Sequence, residues 1–129
     1  MIKKVDHVGL AVSNLDNVID IFNRLFSLEP RTVDQDSIYR VAFLGVGGVD
    51  IEPLQPLDET ISMAHSIEKL GNNIHHICFE VDDVDKELQR LAVMGVELLD
   101  KKGRPSFCGK VGFINPGSTD GILIELVEK

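Results

Sequence analysis

Two histidines and two glutamates recur at matching places in the two halves of this chain, and together they make a donor set for a metal ion. His7 lies in Asp6-His7-Val8-Gly9-Leu10-Ala11-Val12, and His76 occupies the same place in His75-His76-Ile77-Cys78-Phe79-Glu80-Val81. Later in each half, Asp50-Ile51-Glu52-Pro53-Leu54 is echoed by Leu123-Ile124-Glu125-Leu126-Val127. A single strand histidine is ordinarily a hydrogen-bonded packing residue, and a single glutamate in such a run is ordinarily solvated. The repetition of both types in both halves is hard to attribute to packing. Two imidazoles and two carboxylates suit one divalent ion such as Zn, Co, Ni, Mn or Fe(II), so His7, Glu52, His76 and Glu125 are read as the ligands of a two-fold pseudosymmetric metal site.

The elements that must position these side chains follow from periodicity. Lys4 to Val12 and Ile74 to Val81 alternate as strands, so His7, Gly9 and Ala11 share one face, as do His76, Cys78 and Glu80, and Glu125 with Leu123 and Val127. Gly9, Ala11 and Cys78 are small and leave volume beside the histidines for a substrate. After each strand comes a helix. Ser13 or Asn14 caps one whose apolar stripe is Val18, Ile19, Phe22, Leu25 and Phe26, ended by Pro30; Asp82 or Asp83 caps Val84 to Met94, with Leu88, Leu91 and Ala92 inward and Gly95 as the stop. Ile38 to Leu44 and Val49 to Leu54 read as strands joined by the Gly45-Val46-Gly47-Gly48 turn, and Val96 to Leu99, Lys110 to Asn115 and Gly121 to Val127 as strands of the second half. Lys101 to Ser106 reads as a basic loop. A helix over Asp58 to Leu70, stopped by Gly71, links the halves. The expected organisation is a single domain, residues 1-129, with module one over about 1-57, a linker helix over about 58-71 and module two over about 72-129.

Bulk properties exclude other classes. A formal charge of −8 argues against a nucleic-acid surface. No segment approaches about twenty unbroken apolar residues and no secretion signal opens the chain, so a cytoplasmic protein with no membrane association is expected. Cys78 and Cys108 lack metal-type spacing and read as free thiols.

These motifs, with Ile74-His75-His76-Ile77-Cys78-Phe79-Glu80-Val81-Asp82-Asp83 and Gly121-Ile122-Leu123-Ile124-Glu125-Leu126, resemble the vicinal oxygen chelate (glyoxalase/bleomycin resistance/dioxygenase) superfamily over essentially the whole chain. Within it the chain looks most like the methylmalonyl-CoA epimerase family. The resemblance implies an α+β fold in which two βαβββ modules pair into a curled, half-open mixed sheet around a metal site. It implies a metal-dependent epimerase that racemises the α-carbon of a 2-methylmalonyl thioester through a metal-stabilised enolate, with Glu125 as a catalytic base, and a homodimer. It also implies that Gln or Glu is usual at the position of Glu52. Ser106-Phe107-Cys108-Gly109 stands where epimerases commonly show Gly-Ala-x-Gly, and Asn115-Pro116 where they show His-Pro. Ile38 to Leu44 offers no carboxylate, although some epimerases place a base on that strand. The substrate expected is a small-molecule, CoA-linked thioester, whose phosphates Lys101, Lys102 and Arg104 would meet. Alternatives on the same scaffold are a glyoxalase I-like lactoylglutathione lyase and a non-catalytic small-molecule binding protein.

Overall fold

The computed structural model describes all 129 residues, and they form two compact units: His7–His75, and His76–Lys129 joined by Met1–Asp6. The element order is β1 (Ile2–Ala11), α1 (Leu15–Phe26), β2 (Thr32–Gln35), β3 (Tyr39–Val46), β4 (Val49–Pro56), α2 (Ser62–Leu70), β5 (Asn73–Val81), α3 (Val84–Val93), β6 (Arg104–Ser106), β7 (Gly109–Ile114) and β8 (Ile124–Glu128). Strand, helix and three strands thus occur twice, with α2 between them. In the first unit β1 runs parallel to β4, and β3 and β2 follow antiparallel; in the second β5 runs parallel to β8, and β7 and β6 follow antiparallel. The α+β class with mixed sheet pairing is therefore the observed one. No helix is long and apolar enough to cross a membrane.

The two helices that follow the first strand of each repeat start by the same device. Asn14 and Asp83 sit in extended backbone, and their side chains accept from the backbone N–H groups of Asn17 and Lys86, satisfying donors that a helix start leaves open. The next residues, Leu15 and Val84, are fully buried, and their N–H groups donate to Gln55 Oε1 (2.8 Å) and Glu128 Oε1 (2.9 Å). Each helix start is thereby tied to the strand that carries the glutamate, three residues beyond Glu52 or Glu125. Val81, Val84, Leu88, Ile114 and Leu126 form the core beneath α3.

Several boundaries differ from the sequence expectation for identifiable reasons. α1 ends at Phe26, ahead of Pro30, because Ser27 adopts a left-handed φ of 56° and closes the helix with N–H bonds from Ser27 to Asn23 and from Leu28 to Phe22. Its last turn is not inward: Leu25 and Phe26 are exposed. α2 begins at Ser62, since the Asp58 carboxylate accepts from both the Thr60 N–H and its hydroxyl and holds a turn there. β2 has no signature in the sequence because Thr32, Val33, Asp34 and Gln35 are all exposed and carry no apolar alternation. Val96 to Leu99 makes only an isolated bridge, Leu98 to Ile114, because the Asp100 carboxylate takes the Phe113 N–H at 2.8 Å. Arg104 to Ser106, expected in a loop, pairs with β7 as a strand.

Candidate metal centre

Register places each histidine beside its glutamate within its own unit. Gly9 pairs with Glu52 across β1 and β4, and Cys78 pairs with Glu125 across β5 and β8. His7 and His76 stand two residues earlier on the same faces, so each imidazole lies diagonal to the carboxylate. His7 Nε2 is 3.1 Å from Glu52 Oε2, and His76 Nε2 is 3.5 Å from Glu125 Oε1. Of the small residues beside the histidines, Ala11 and Cys78 are both inaccessible.

Burial gives these pairs their significance. His7 is 0% exposed, and Glu52, His76 and Glu125 are each 5% exposed. Removing a charge from water costs several kcal/mol, which a folded chain bears only with a compensating partner. Asp6 is the one other buried acidic residue, and Lys129 matches it at 3.0 Å. Concentrations of buried ionisable groups of this kind mark functional sites.

The donor set fits a divalent ion on geometric grounds as well. Ligand atoms about 2.1 Å from a metal and 90° to 109° apart are separated by about 3.0 to 3.4 Å. The two Nε2···O separations, 3.1 and 3.5 Å, match that edge length closely.

The surroundings of the second pair are well defined. Phe113 pairs with Glu125 across β7 and β8, and its ring meets His76 edge-on with centroids 5.6 Å apart. That contact restrains the His76 ring. Cys78, Val111 and Val127 form a buried floor on the same face. Burial, and then the neighbouring Glu125 charge, push the Cys78 thiol far above its ordinary range, so it is a neutral thiol there. Glu80, opposite Val127 at the end of β5, is half-buried. His75 faces the other side of the strand and His65 is exposed on α2.

In the first unit the face of Glu52 continues onto β3 through Val41 and Phe43, both buried, and this strand supplies no carboxylate. The basic loop divides between two faces. Lys101 and Lys102 line a cleft of about 980 Å³ against Leu88 and Ala92 of α3. Arg104 pairs with Val111 and lies over Phe113 on the glutamate-bearing face. Phe43, Phe113, Gln55 and Glu128 were not found from the sequence, since their roles depend on strand register.

Comparison with known proteins gives a consistent family. The family model described as Glyoxalase/Bleomycin resistance protein/Dioxygenase superfamily matches residues 6–113. The Ethylmalonyl-CoA/methylmalonyl-CoA epimerase of Cereibacter sphaeroides is 33% identical over 133 residues, spanning 98% of this chain and 98% of the relative. The crystal structure of methylmalonyl-CoA epimerase from Mycobacterium tuberculosis superposes with a TM-score of 0.93 at 31% identity, covering 98% of this chain and 88% of that one. A methylmalonyl-CoA epimerase in complex with methylmalonyl-CoA and NH4+ gives a TM-score of 0.94 at 25% identity, covering 100% and 96%.

Proposed function

Since the chain belongs to the Glyoxalase/Bleomycin resistance protein/Dioxygenase superfamily, we propose that it is a metal-dependent epimerase acting on the α-carbon of a 2-methylmalonyl thioester, with CoA as the thiol. The observation that carries this reading is the pair of buried His–Glu couples, one per unit, in a chain whose relatives include methylmalonyl-CoA epimerases. His7, Glu52, His76 and Glu125 hold one divalent ion in this reading. Such an ion supplies a cation that draws electron density from the acyl oxygens and so acidifies the C–H between them.

The chain's own residues do the rest. Glu125 is the proton acceptor: its carboxylate is 5% exposed, and Cys78 and Val127 beside it keep water from competing for the proton. His76, restrained by the Phe113 edge, holds the donor geometry. The enclosed, apolar floor strengthens the attraction between ligand charges and a bound cation.

Incubation of metal-loaded protein with methylmalonyl-CoA in D2O is expected to wash deuterium into the α-position, as read by mass spectrometry. Exchange reports proton removal from either face of the carbon and does not depend on knowing the second acid. Absence of exchange, with turnover of the glutathione hemithioacetal of methylglyoxal, would replace this reading by the lactoylglutathione lyase one. Tight binding of a small molecule with neither reaction would favour the binding-protein alternative.

The reading includes a homodimer. Ile21, Leu25, Phe26, Leu70 and Ile74 leave large apolar side chains at least 40% exposed in the first unit, a surface that a second copy would cover. Light scattering is expected to give twice the 14.3 kDa chain mass at micromolar concentration, and a monomer there would overturn the assignment.

A further inference from the structure

We propose that Arg104 grips the free carboxylate of the substrate's acyl group and thereby restricts the site to 2-carboxyacyl thioesters, an inference that rests on the epimerase reading above. The two units repeat more than the His–Glu couple. Each also places a phenylalanine on the glutamate's face and an arginine over that phenylalanine: Arg31 over Phe43 at 5.7 Å, and Arg104 over Phe113 at 5.6 Å. Cation and ring attract in both cases, so both guanidinium groups are pre-positioned.

The two arginines stand at different registers, Arg31 just before Thr32, which pairs with Phe43, and Arg104 opposite Val111, and they also differ in what meets the fork. In the first unit Asp50 takes the Arg31 fork end-on, with Nη1 at 2.9 Å from Oδ1 and Nη2 at 2.8 Å from Oδ2. Asp50 stands two residues before Glu52, and the equivalent residue before Glu125 is Leu123. The second unit therefore has no carboxylate to close over its arginine from that strand. Arg104 is held instead from the side, by Nε donating to Asp100 Oδ1 at 3.1 Å, and its Nη1 and Nη2 make no bond of that kind. An open end-on fork fits a carboxylate in a bidentate pair.

Its place in the sheet brings that fork to the chemistry. Arg104 pairs with Val111, Val111 pairs with Val127, and Phe113 pairs with Glu125, so all of these side chains share the face that carries Glu125 and His76. The Phe113 ring lies 5.6 Å from the His76 ring and 5.6 Å from the guanidinium, so Arg104 is at most twice that distance from the histidine. The arginine side chain is 52% exposed and is supported by Asp100, which also accepts the Phe113 N–H. It is therefore held from one side yet accessible. Lys101 and Lys102, on the α3 side, do not share this placement.

The test measures binding and exchange together on the metal-loaded protein. Calorimetry is expected to show that the wild type prefers methylmalonyl-CoA over propionyl-CoA, which lacks the carboxylate, by about 10- to 100-fold, the range of charge-assisted hydrogen bonds to one group. Arg104→Gln should lower that preference by about 10-fold or more, and Arg104→Lys should lose less of it. Exchange with the N-acetylcysteamine thioester of methylmalonate, which has no phosphates, should fall in Arg104→Gln as much as exchange with methylmalonyl-CoA. A loss confined to the CoA substrate would mean that Arg104 meets a nucleotide phosphate, and would overturn the proposal. If Arg104→Gln keeps the preference while the wild type exchanges the proton, Arg104 has no such role and the epimerase reading stands. If the wild type shows an Arg104-dependent preference without exchanging the proton, the epimerase reading fails and the carboxylate grip stands.

Discussion

Replacing His76 by alanine is expected to lower the affinity for a divalent ion by more than about 100-fold, since even residues that merely support a ligand cost 10- to 100-fold. His76 is 5% exposed and its Nε2 is 3.5 Å from Glu125, so the change removes a donor and leaves a buried carboxylate without the imidazole beside it. Both consequences are measurable. Purified His76→Ala should carry little metal by elemental analysis, whereas His65→Ala, altered on an exposed face of α2, should carry as much as the wild type. Added metal should raise the wild-type melting temperature, because an ion that binds only the folded chain stabilises it by mass action, and that increment should vanish in His76→Ala. The apo variant should also melt below the apo wild type, because truncating a buried side chain leaves a cavity beside Glu125. Equal metal content in His76→Ala and wild type would remove this residue from the site.

The four proposed ligands rest on a signal that is one-dimensional, and the structure pairs each histidine with its glutamate. Strand alternation assigns a face to each residue, and repetition within the chain picks out His7 with His76 and Glu52 with Glu125 from residues that separately carry little information. The helix starts were readable for a similar reason, since Asn14 and Asp83 are local caps. What escaped depends on register between strands. Phe113 stands beside Glu125 only because β7 and β8 pair them, and Arg104 reaches that face only because β6 pairs it with Val111. The basic stretch at 101–104 reads as one patch in sequence, whereas strand geometry sends Arg104 to the face of Glu125 and the lysines to the α3 cleft. Asp100 misled in the same way: its carboxylate replaces a strand's backbone as the partner of the Phe113 N–H, so an apolar run that reads as a strand remains irregular.

Two internal repeats with opposite departures from symmetry also bear on where a substrate lies. In the first unit, the face beside Glu52 is closed by Phe43 and by Arg31 locked to Asp50. In the second, Leu123 replaces that aspartate and Arg104 keeps an open fork. In the proposed reading, Arg104 and Glu125 on one face of the second unit would receive the charged acyl group and its α-proton. β3 offers no alternative acceptor, since Val41, Ala42, Phe43 and Leu44 are all buried and apolar. The proposed reading therefore assigns proton removal to Glu125.

Glu125→Gln is accordingly expected to lower deuterium exchange into methylmalonyl-CoA by at least about 100-fold, the lower range for loss of a positioned general base, while metal content falls far less. Glutamine keeps a carbonyl oxygen for the ion and nearly the same volume in a site that is 5% exposed, yet it cannot accept a proton. Ligation and base catalysis are thus separated by a single atom. Glu52→Gln makes the same chemical change at the pseudo-equivalent position and serves as the internal comparison, because it removes the same charge from the ligand set. If charge alone matters, both variants should lose exchange equally, in step with any lost metal. If Glu125 is the base, Glu52→Gln should retain exchange to within about tenfold of the wild type, and a loss of kcat with little change in KM should appear only in Glu125→Gln. The reverse outcome, with exchange abolished by Glu52→Gln and preserved by Glu125→Gln, would move the base to the first unit and with it the expected orientation of the substrate.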